Sequence, residues 1–487
     1  MIIDGESNRQ ANALPTIPWE PNYRSRSFSG SVLLTADHGA WAILSLSDFA
    51  QLRVGLPPIS IFNDLVDKGL LRTAENETCI EQMLRTWHAP NAVGPDLHIV
   101  VLTRRCNLQC TYCHADARPE RSSGEDLSSD TAKAILDFIV TTPSHSVNIE
   151  FQGGESLLNW EVLCLAVEYG QQLSQATGKR IDFSLVTNAT LLSREKIKFL
   201  RQNRVQVCTS LDGPAWIHDM HRRSHGRGTF DLVTRKIELA EALGLRIPFL
   251  TVLTRQSYGH YRSIVDFSLE RGAQILCMNP VEPLGIARSR WGQIGCDCIT
   301  RLGYYRSLLD YMFEKIKNGQ FILERRFALA LDKITRTSDV KFADFRNPCG
   351  AIFGQIAYDI DGVIYPCDEA RGFKELALGT IRTHSFDEIA HSPLATTIHQ
   401  ASIPRSKECV ICAYKPFCGL CPVLAFAASG NFEIDPSDDS RCRSTIFLFD
   451  YLFEKLIREP EDISLILKTK RIQHAISEAT KMDSLHD

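Results

Sequence analysis

The 487-residue chain has no stretch approaching the ~18 consecutive apolar residues of a membrane span, and its opening "MIIDGESNRQANALP" lacks the basic region and apolar run of a secretory signal. Both absences make the cytoplasm the expected location and leave no membrane partner. Charge of one sign is also missing. Lys and Arg number 54 against 58 Asp and Glu, a formal charge of -4 that gives no general pull on nucleic acid. There is no internal repeat and no low-complexity tract. With 44% hydrophobic and 23% charged residues the composition is that of a globular protein with a large core, and ~150 residues per domain suggests about three domains.

Cysteine is what the chain has in excess, with 16 residues. A reducing compartment disfavours disulfides, so clustered cysteines there point to metal or catalysis. Cys106, Cys110 and Cys113 form one group, in "RRCNLQCTYCHAD". Cys349, Cys367, Cys409, Cys412, Cys418, Cys421 and Cys442 form another. Cys79, Cys164, Cys208 and Cys277 stand alone and read as small buried apolar residues, while Cys296 and Cys298 are close to each other but isolated, with ligation the minority reading.

From 97 to 285 the text alternates between six apolar runs, "LHIVVLT", "VNIEFQ", "IDFSLVT", "VQVCTSL", "RIPFLTVLT" and "AQILCMN", and helical segments of ten residues or more. This predicts βαβ units and an α/β fold, a partial (β/α)6 TIM-like barrel, with an open doubly wound sheet as the runner-up. The unusual polar stretches follow the first four strands: the cysteine loop, "GGE" at 153–155, "TNA" at 187–189 and "SLDGP" at 210–214. Barrels carry their active sites at those strand ends, so four segments are expected to converge on one pocket.

Around this core at 96–285 lie four further regions. Residues 1–95 form an N-terminal extension. There "SVLLTADHGAWAILSL" reads as two strands about a turn, and "LSDFAQLRVG" (Ser45 or Ser47 as N-cap) and "SIFNDLVDKGLL" read as helices, a small winged-helix-like α+β unit. Residues 286–345 read as a helical linker, and 346–445 hold the second cysteine group with a hairpin turning at Asp361-Gly362. Residues 446–487 read as a helical tail.

Three thiolates on one loop suit a four-iron cluster with one iron left open, whereas a zinc site would recruit a fourth ligand such as His114. The Cys-x3-Cys-x2-Cys spacing with Tyr112 before the last cysteine favours the cluster. This loop resembles the signature of the radical S-adenosylmethionine (SAM) enzymes. The resemblance implies a [4Fe-4S] cluster on Cys106, Cys110 and Cys113 that chelates SAM through its amino and carboxylate groups. It further implies Gly153 and Gly154 for close approach of the ligand, Glu155 for the SAM ammonium, Asn188 and Ser210 for the ribose or carboxylate, and Arg222 for the carboxylate. Ser156 stands where the family commonly has proline. Asn188 and Asp212 as simple turn caps, and Arg222 as a surface charge, remain open alternatives.

The C-terminal group resembles the SPASM domain, an auxiliary iron-sulfur module of radical SAM enzymes. By that resemblance Cys409, Cys412, Cys418 and Cys442 close one auxiliary [4Fe-4S] cluster and Cys349, Cys367 and Cys421 hold a second. Cys418 and Cys421 are separated by two residues where the family has three, and no cysteine lies just upstream of Cys349, so the second cluster is a ligand short and an open iron there would suit a substrate thiolate. Zinc at four of these cysteines is the other reading.

The closest pattern is that of the His-Xaa-Ser system radical SAM maturases, on "IEFQGGESLLNW", "SLDGPAWIHDMHR", "PCGAIFGQIAYDIDGVIYPCDEAR" and "CAYKPFCG". It implies cleavage of SAM to a 5'-deoxyadenosyl radical that modifies a ribosomally made precursor peptide, a carbon–sulfur bond being one candidate product. It also implies a second radical SAM partner protein, an electron donor, and an N-terminal domain that binds a leader peptide by strand addition. Two competitors stand. One is an anaerobic sulfatase-maturing enzyme, with Asp359, Asp361 or Asp368 as general base. The other is a non-catalytic electron carrier or peptide-binding partner, against which Glu155 and the three-cysteine loop argue.

Overall fold

The computed structural model describes residues 18–437 and 439–468. The readings made for residues 1–17 and for the tail beyond 468 lie outside the described residues.

Near the N-terminus three antiparallel strands, β1 (Arg24–Phe28), β2 (Ser31–Thr35) and β3 (Trp41–Ser45), precede helices Leu46–Arg53, Ile59–Asp67 and Glu77–His88. The Ser45 hydroxyl accepts from the Asp48 N–H and starts the first helix. Side chains alternate across a strand, and both faces are used here. Val32, Leu34, Ala42 and Leu44 pack on the unit's own Leu52, Phe62 and Leu65. Leu33 and Ile43 face the other way, into a core shared with Trp87, Phe417 and Phe453. The expected pair of strands is therefore present with a third beside it.

The expected six parallel strands follow as β4 (Leu97–Thr103), β5 (Ser146–Gly153), β6 (Arg180–Thr187), β7 (Gln206–Ser210), β8 (Phe249–Leu253) and β9 (Ile275–Pro280). Each pairs in parallel with its predecessor. A doubly wound sheet reverses its strand order at a switch point. Among these six strands the order never reverses, so their winding is that of a barrel. Ile149, Phe151, Phe183 and Leu185 join Ile135 and Leu163 of the intervening helices in the main core.

The sheet continues at both ends. β10 (Leu323–Glu324) adds in parallel beyond β9, inside the region read as purely helical, between helices Cys298–Lys317 and Arg325–Thr335. On the other side β11 (Gln355–Tyr358) pairs in parallel with β4, followed by antiparallel β12 (Val363–Tyr365) and β13 (Gly379–Thr380), giving ten strands in one sheet. The β11–β12 turn falls at Asp361-Gly362, where Gly362 has φ +82°, a conformation that costs glycine little. The His98 ring nitrogen Nδ1 meets the Tyr358 hydroxyl at 2.9 Å and ties β4 to β11. The second cysteine region is thus built directly onto the first barrel strand.

Candidate active site

The loop after β4 is held from three sides. Gln109 N–H donates to the Arg223 carbonyl at 2.8 Å and Thr111 N–H to that of His221 at 3.1 Å, clasping it to the segment after β7. Ile286 N–H donates to the Cys113 carbonyl at 2.8 Å, bringing in the segment after β9. From β5, Gly154 N–H donates to the Thr103 carbonyl and Glu155 N–H to that of Arg105, both at 2.8 Å. A Cβ on Gly154 would lie 2.2 Å from the Arg105 carbonyl oxygen, and one on Gly153 2.2 Å from that of Thr103. The chain's own cysteine loop makes a close approach to both glycines.

Beneath the loop sits a buried ionic group that the sequence did not announce. Asp212, fully buried after β7, accepts from Arg222 Nε at 3.0 Å and from the Val252 N–H at 3.0 Å, and the Tyr112 hydroxyl donates to it. The Arg222 guanidinium lies 5.1 Å from the centre of the Tyr112 ring. Arg222 is 7% exposed, which excludes the surface-charge alternative, and the Asp212 carboxylate reaches side chains and the distant Val252 N–H, so it is more than a turn cap. His221 bridges Thr111 Oγ1 at 2.7 Å and Thr254 Oγ1 at 2.9 Å.

Two sulfurs of the loop receive donors from these surroundings. Arg222 Nη1 is 3.9 Å from Cys110 Sγ, and Asn188 Nδ2 is 3.9 Å from Cys106 Sγ. Asn188 also donates to Asn107 Oδ1 at 2.9 Å and accepts from Thr190 at its Oδ1, so it joins the β6 end to the loop. Glu155 is 1% exposed and spends its carboxylate on Thr187 Oγ1 at 2.6 Å and the N–H groups of Leu157 and Asn188 at 3.0 and 2.7 Å. Burial raises its pKa and those hydrogen bonds oppose the rise. Ser210 ends β7, half-buried, opposite Leu250 of β8.

Burial pushes the Cys106 thiol up to about 12 and that of Cys110 up to about 11. A bound cation would be needed to hold such thiols as thiolates near neutrality. Among the described residues no three His, Cys, Asp or Glu side chains converge on the position of a single ion. One zinc needs every sulfur within about 2.3 Å of itself, whereas a cluster takes each thiolate on a different iron. His114 is committed elsewhere, its Nε2 lying 2.9 Å from Asp368 Oδ2. Three thiols, two with N–H donors on sulfur, fit an iron-sulfur cluster and not the zinc reading.

In the C-terminal region Cys409, Cys412, Cys418 and Cys442 stand close together: after burial, the charges of Cys409 and Cys412 help raise the pKa of both Cys418 and Cys442. Cys349, Cys367 and Cys421 line a separate cavity of about 190 Å³ that reaches Met278 and Glu282 at the end of β9. The shortened Cys418–Cys421 spacing therefore still carries Cys421 to Cys349 and Cys367. Cys298 Sγ donates to the Ser440 carbonyl at 3.7 Å.

Residues 100–268 match the radical SAM superfamily, and residues 349–414 match an iron-sulfur cluster-binding domain, SPASM. The chain carries a radical SAM domain followed by a SPASM domain. The cysteine-type anaerobic sulfatase-maturating enzyme of Clostridium perfringens is 25% identical over 74% of this chain and 96% of its own length. The AdoMet-dependent heme synthase of Oleidesulfovibrio alaskensis is 28% identical over 68% of this chain and 83% of its own. Among solved structures, native anSMEcpe with bound AdoMet superposes with a TM-score of 0.64 at 23% identity, covering 75% of this chain and all of that one. Streptococcus suis SuiB bound to precursor peptide SuiA gives 0.55 at 15%, covering 88% and all of that chain. These likenesses support the radical SAM barrel with a C-terminal SPASM domain. No helix among the described residues is long and apolar enough to cross a membrane.

Proposed function

We propose that this radical SAM chain modifies a ribosomally synthesised peptide, as a maturase of the His-Xaa-Ser kind that works with a second radical SAM protein and an external electron donor. The observation that carries the reading is the N-terminal unit. Its strand β3 is an edge of the β1–β2–β3 sheet among the described residues, and the unit is tied to the rest of the molecule, Thr35 Oγ1 of β2 donating to the Ala413 carbonyl in the SPASM region and Trp41 Nε1 of β3 to that of Ile334 in the helix Arg325–Thr335 at 2.7 Å. An edge strand in a unit that also exposes Leu46, Val54, Leu56 and Ile59 suits an extended peptide with apolar side chains. Of the solved relatives, SuiB is bound to a precursor peptide and anSMEcpe has been solved with a Kp18Cys peptide.

On this reading Cys106, Cys110 and Cys113 would hold a [4Fe-4S] cluster, which would supply the reductive cleavage of bound SAM. The chain's own residues fix the frame. Arg222 and Asn188 donate to the sulfurs, Asp212 and Tyr112 lock Arg222, and Gly153 and Gly154 seat the β5 end on the loop. Glu155 joins the β5 and β6 ends through Thr187 and Asn188. Asp212, Arg222 and Tyr112 are desolvated, so their positions are fixed before any substrate arrives.

Sulfatase-type maturation is a second reading, favoured by one contact. Asp359 is taken by Arg104 at 2.6 Å and Asp361 is exposed, whereas Asp368, from the SPASM domain, bonds His114 immediately after Cys113. Asp368 touches the SAM loop through His114, while Arg371 holds it as Arg104 holds Asp359. The test is anaerobic incubation of the reconstituted chain with SAM, reductant and short peptides encoded beside it, read by mass spectrometry. A mass change confined to such a peptide supports maturation, and one confined to a sulfatase-derived cysteine or serine peptide supports the second reading. SAM cleavage with both left intact rejects both.

A further inference from the structure

The cavity of Cys349, Cys367 and Cys421 has three thiols and no fourth cysteine, but it is not short of anionic donors. Glu369 lines it too, two residues past Cys367 at the start of the tight turn Glu369–Gly372. Its carboxylate accepts no hydrogen bond and makes no ion pair among the described residues. The other carboxylates nearby are engaged. Asp344 accepts from Gln355 Nε2 at 2.9 Å, and Asp368 binds His114 and Arg371. Arg441, which also lines the cavity, is held by Asp439 and by the Cys421 carbonyl at 2.7 Å. After burial, the Glu369 charge is the largest influence raising the Cys367 and Cys421 pKa values, and it reaches Cys349 as well.

We propose that the Glu369 carboxylate is the fourth protein donor of the auxiliary group held by Cys349, Cys367 and Cys421, closing it with oxygen where a four-cysteine site would use sulfur. Three thiolates and an unpaired carboxylate on one cavity repel one another unless a cation lies among them, and iron accepts lone pairs from all four. Coordination here is a lone-pair donation from Glu369 Oε to iron, with no change of oxidation state. An oxygen ligand is a standing alternative to the open iron for substrate thiolate that the cysteine count suggests, and it sets the potential apart from that of the four-cysteine cluster on Cys409, Cys412, Cys418 and Cys442. The proposal rests on reading the three thiols as ligands of one cluster.

The test uses the full chain with Cys106, Cys110 and Cys113 replaced by alanine, so that only auxiliary clusters contribute, enriched in ⁵⁷Fe. Iron and sulfide analysis, Mössbauer and EPR spectra are compared for this parent, Glu369→Gln and Glu369→Cys. The expected result is an oxygen-ligated iron in the parent, loss of about one iron per chain with a three-iron EPR signal in Glu369→Gln, and an all-thiolate spectrum at full iron content in Glu369→Cys. If Glu369→Gln fails to fold, Glu369→Cys carries the comparison. Spectra and iron content identical across the three proteins overturn the proposal while leaving the cluster assignment standing. A parent whose iron content is unchanged by Cys349→Ala overturns both.

Discussion

Removing the Asp212 carboxylate should reach further than any other single change at the barrel mouth. Asp212→Ala leaves the Arg222 guanidinium buried without its counter-charge and strips acceptors from the Tyr112 hydroxyl and the Val252 N–H. At 3.0 Å and an effective dielectric constant of about 20, the pair interacts by 332/(20 × 3.0), roughly 5.5 kcal/mol. Breaking a buried pair from one side typically costs about 3–5 kcal/mol, because the remaining charge stays desolvated. For a barrel of this size each kcal/mol moves the melting midpoint by about 2–4 °C, so the expected drop is roughly 6–20 °C. The assay is anaerobic differential scanning calorimetry of the metal-free chain, which separates the structural effect from cluster loading. Glu314→Ala serves as the control, because its ion pair with Arg262 at 4.0 Å is exposed on both sides and should be worth about 0–1 kcal/mol. The double variant Asp212→Leu/Arg222→Met should recover part of the loss. A single Asp212→Ala variant melting within about 2 °C of the wild type would refute the reasoning.

Two further outcomes follow from the same geometry. Gly154→Ala puts a methyl 2.2 Å from the Arg105 carbonyl, a backbone atom that cannot step aside alone, so the cysteine loop must shift. Overpacking of this kind costs about 1–3 kcal/mol, and iron bound by the radical SAM loop, read from iron content and visible absorbance, should fall while the auxiliary clusters persist. His98 is fully buried between β4 and β11, and burial lowers its pKa from 6.5 to about 3. The neutral ring's contribution is complete above pH 6.5 and is lost as pH falls toward 3, at up to about 1.4 kcal/mol per pH unit, because the unfolded chain takes up a proton that the folded one refuses. His98→Gln, which retains a hydrogen-bonding side chain but does not titrate, should flatten that slope between pH 6.5 and 4.5, and parallel slopes in denaturant melts would count against it.

The barrel was legible because its information is local. Strands β4 to β9 are short apolar runs with capped helices between them, and "LHIVVLT" and the helix Trp160–Thr177 have the extents that their patterns indicate. β1 was not legible: in "RSRSF" only Phe28 is apolar, and Arg26 is spent on an ion pair with Asp450, 424 residues away. The helix Glu77–His88 buries only Ile80 and Trp87, seven positions apart, too sparse for a visible apolar stripe. Of the site, the three-cysteine loop was written in spacing, and the SPASM cysteines were read by resemblance. Their surroundings were not, since Tyr112, Asp212 and Arg222 meet across 110 residues and His114 meets Asp368 across 254. Glycines 153 and 154 could be seen to need bare backbone, but the sequence did not say that the cysteine loop was what approached them.

The central claim is that Cys106, Cys110 and Cys113 hold the group that cleaves SAM. The decisive measurement is 5'-deoxyadenosine formed anaerobically by the iron- and sulfide-reconstituted chain with SAM and a strong reductant, beside the chain with all three cysteines changed to alanine. Wild type alone should form deoxyadenosine, with both proteins retaining their auxiliary iron. Deoxyadenosine from both proteins, or from neither when the wild type is fully loaded and its peptide is present, would contradict it.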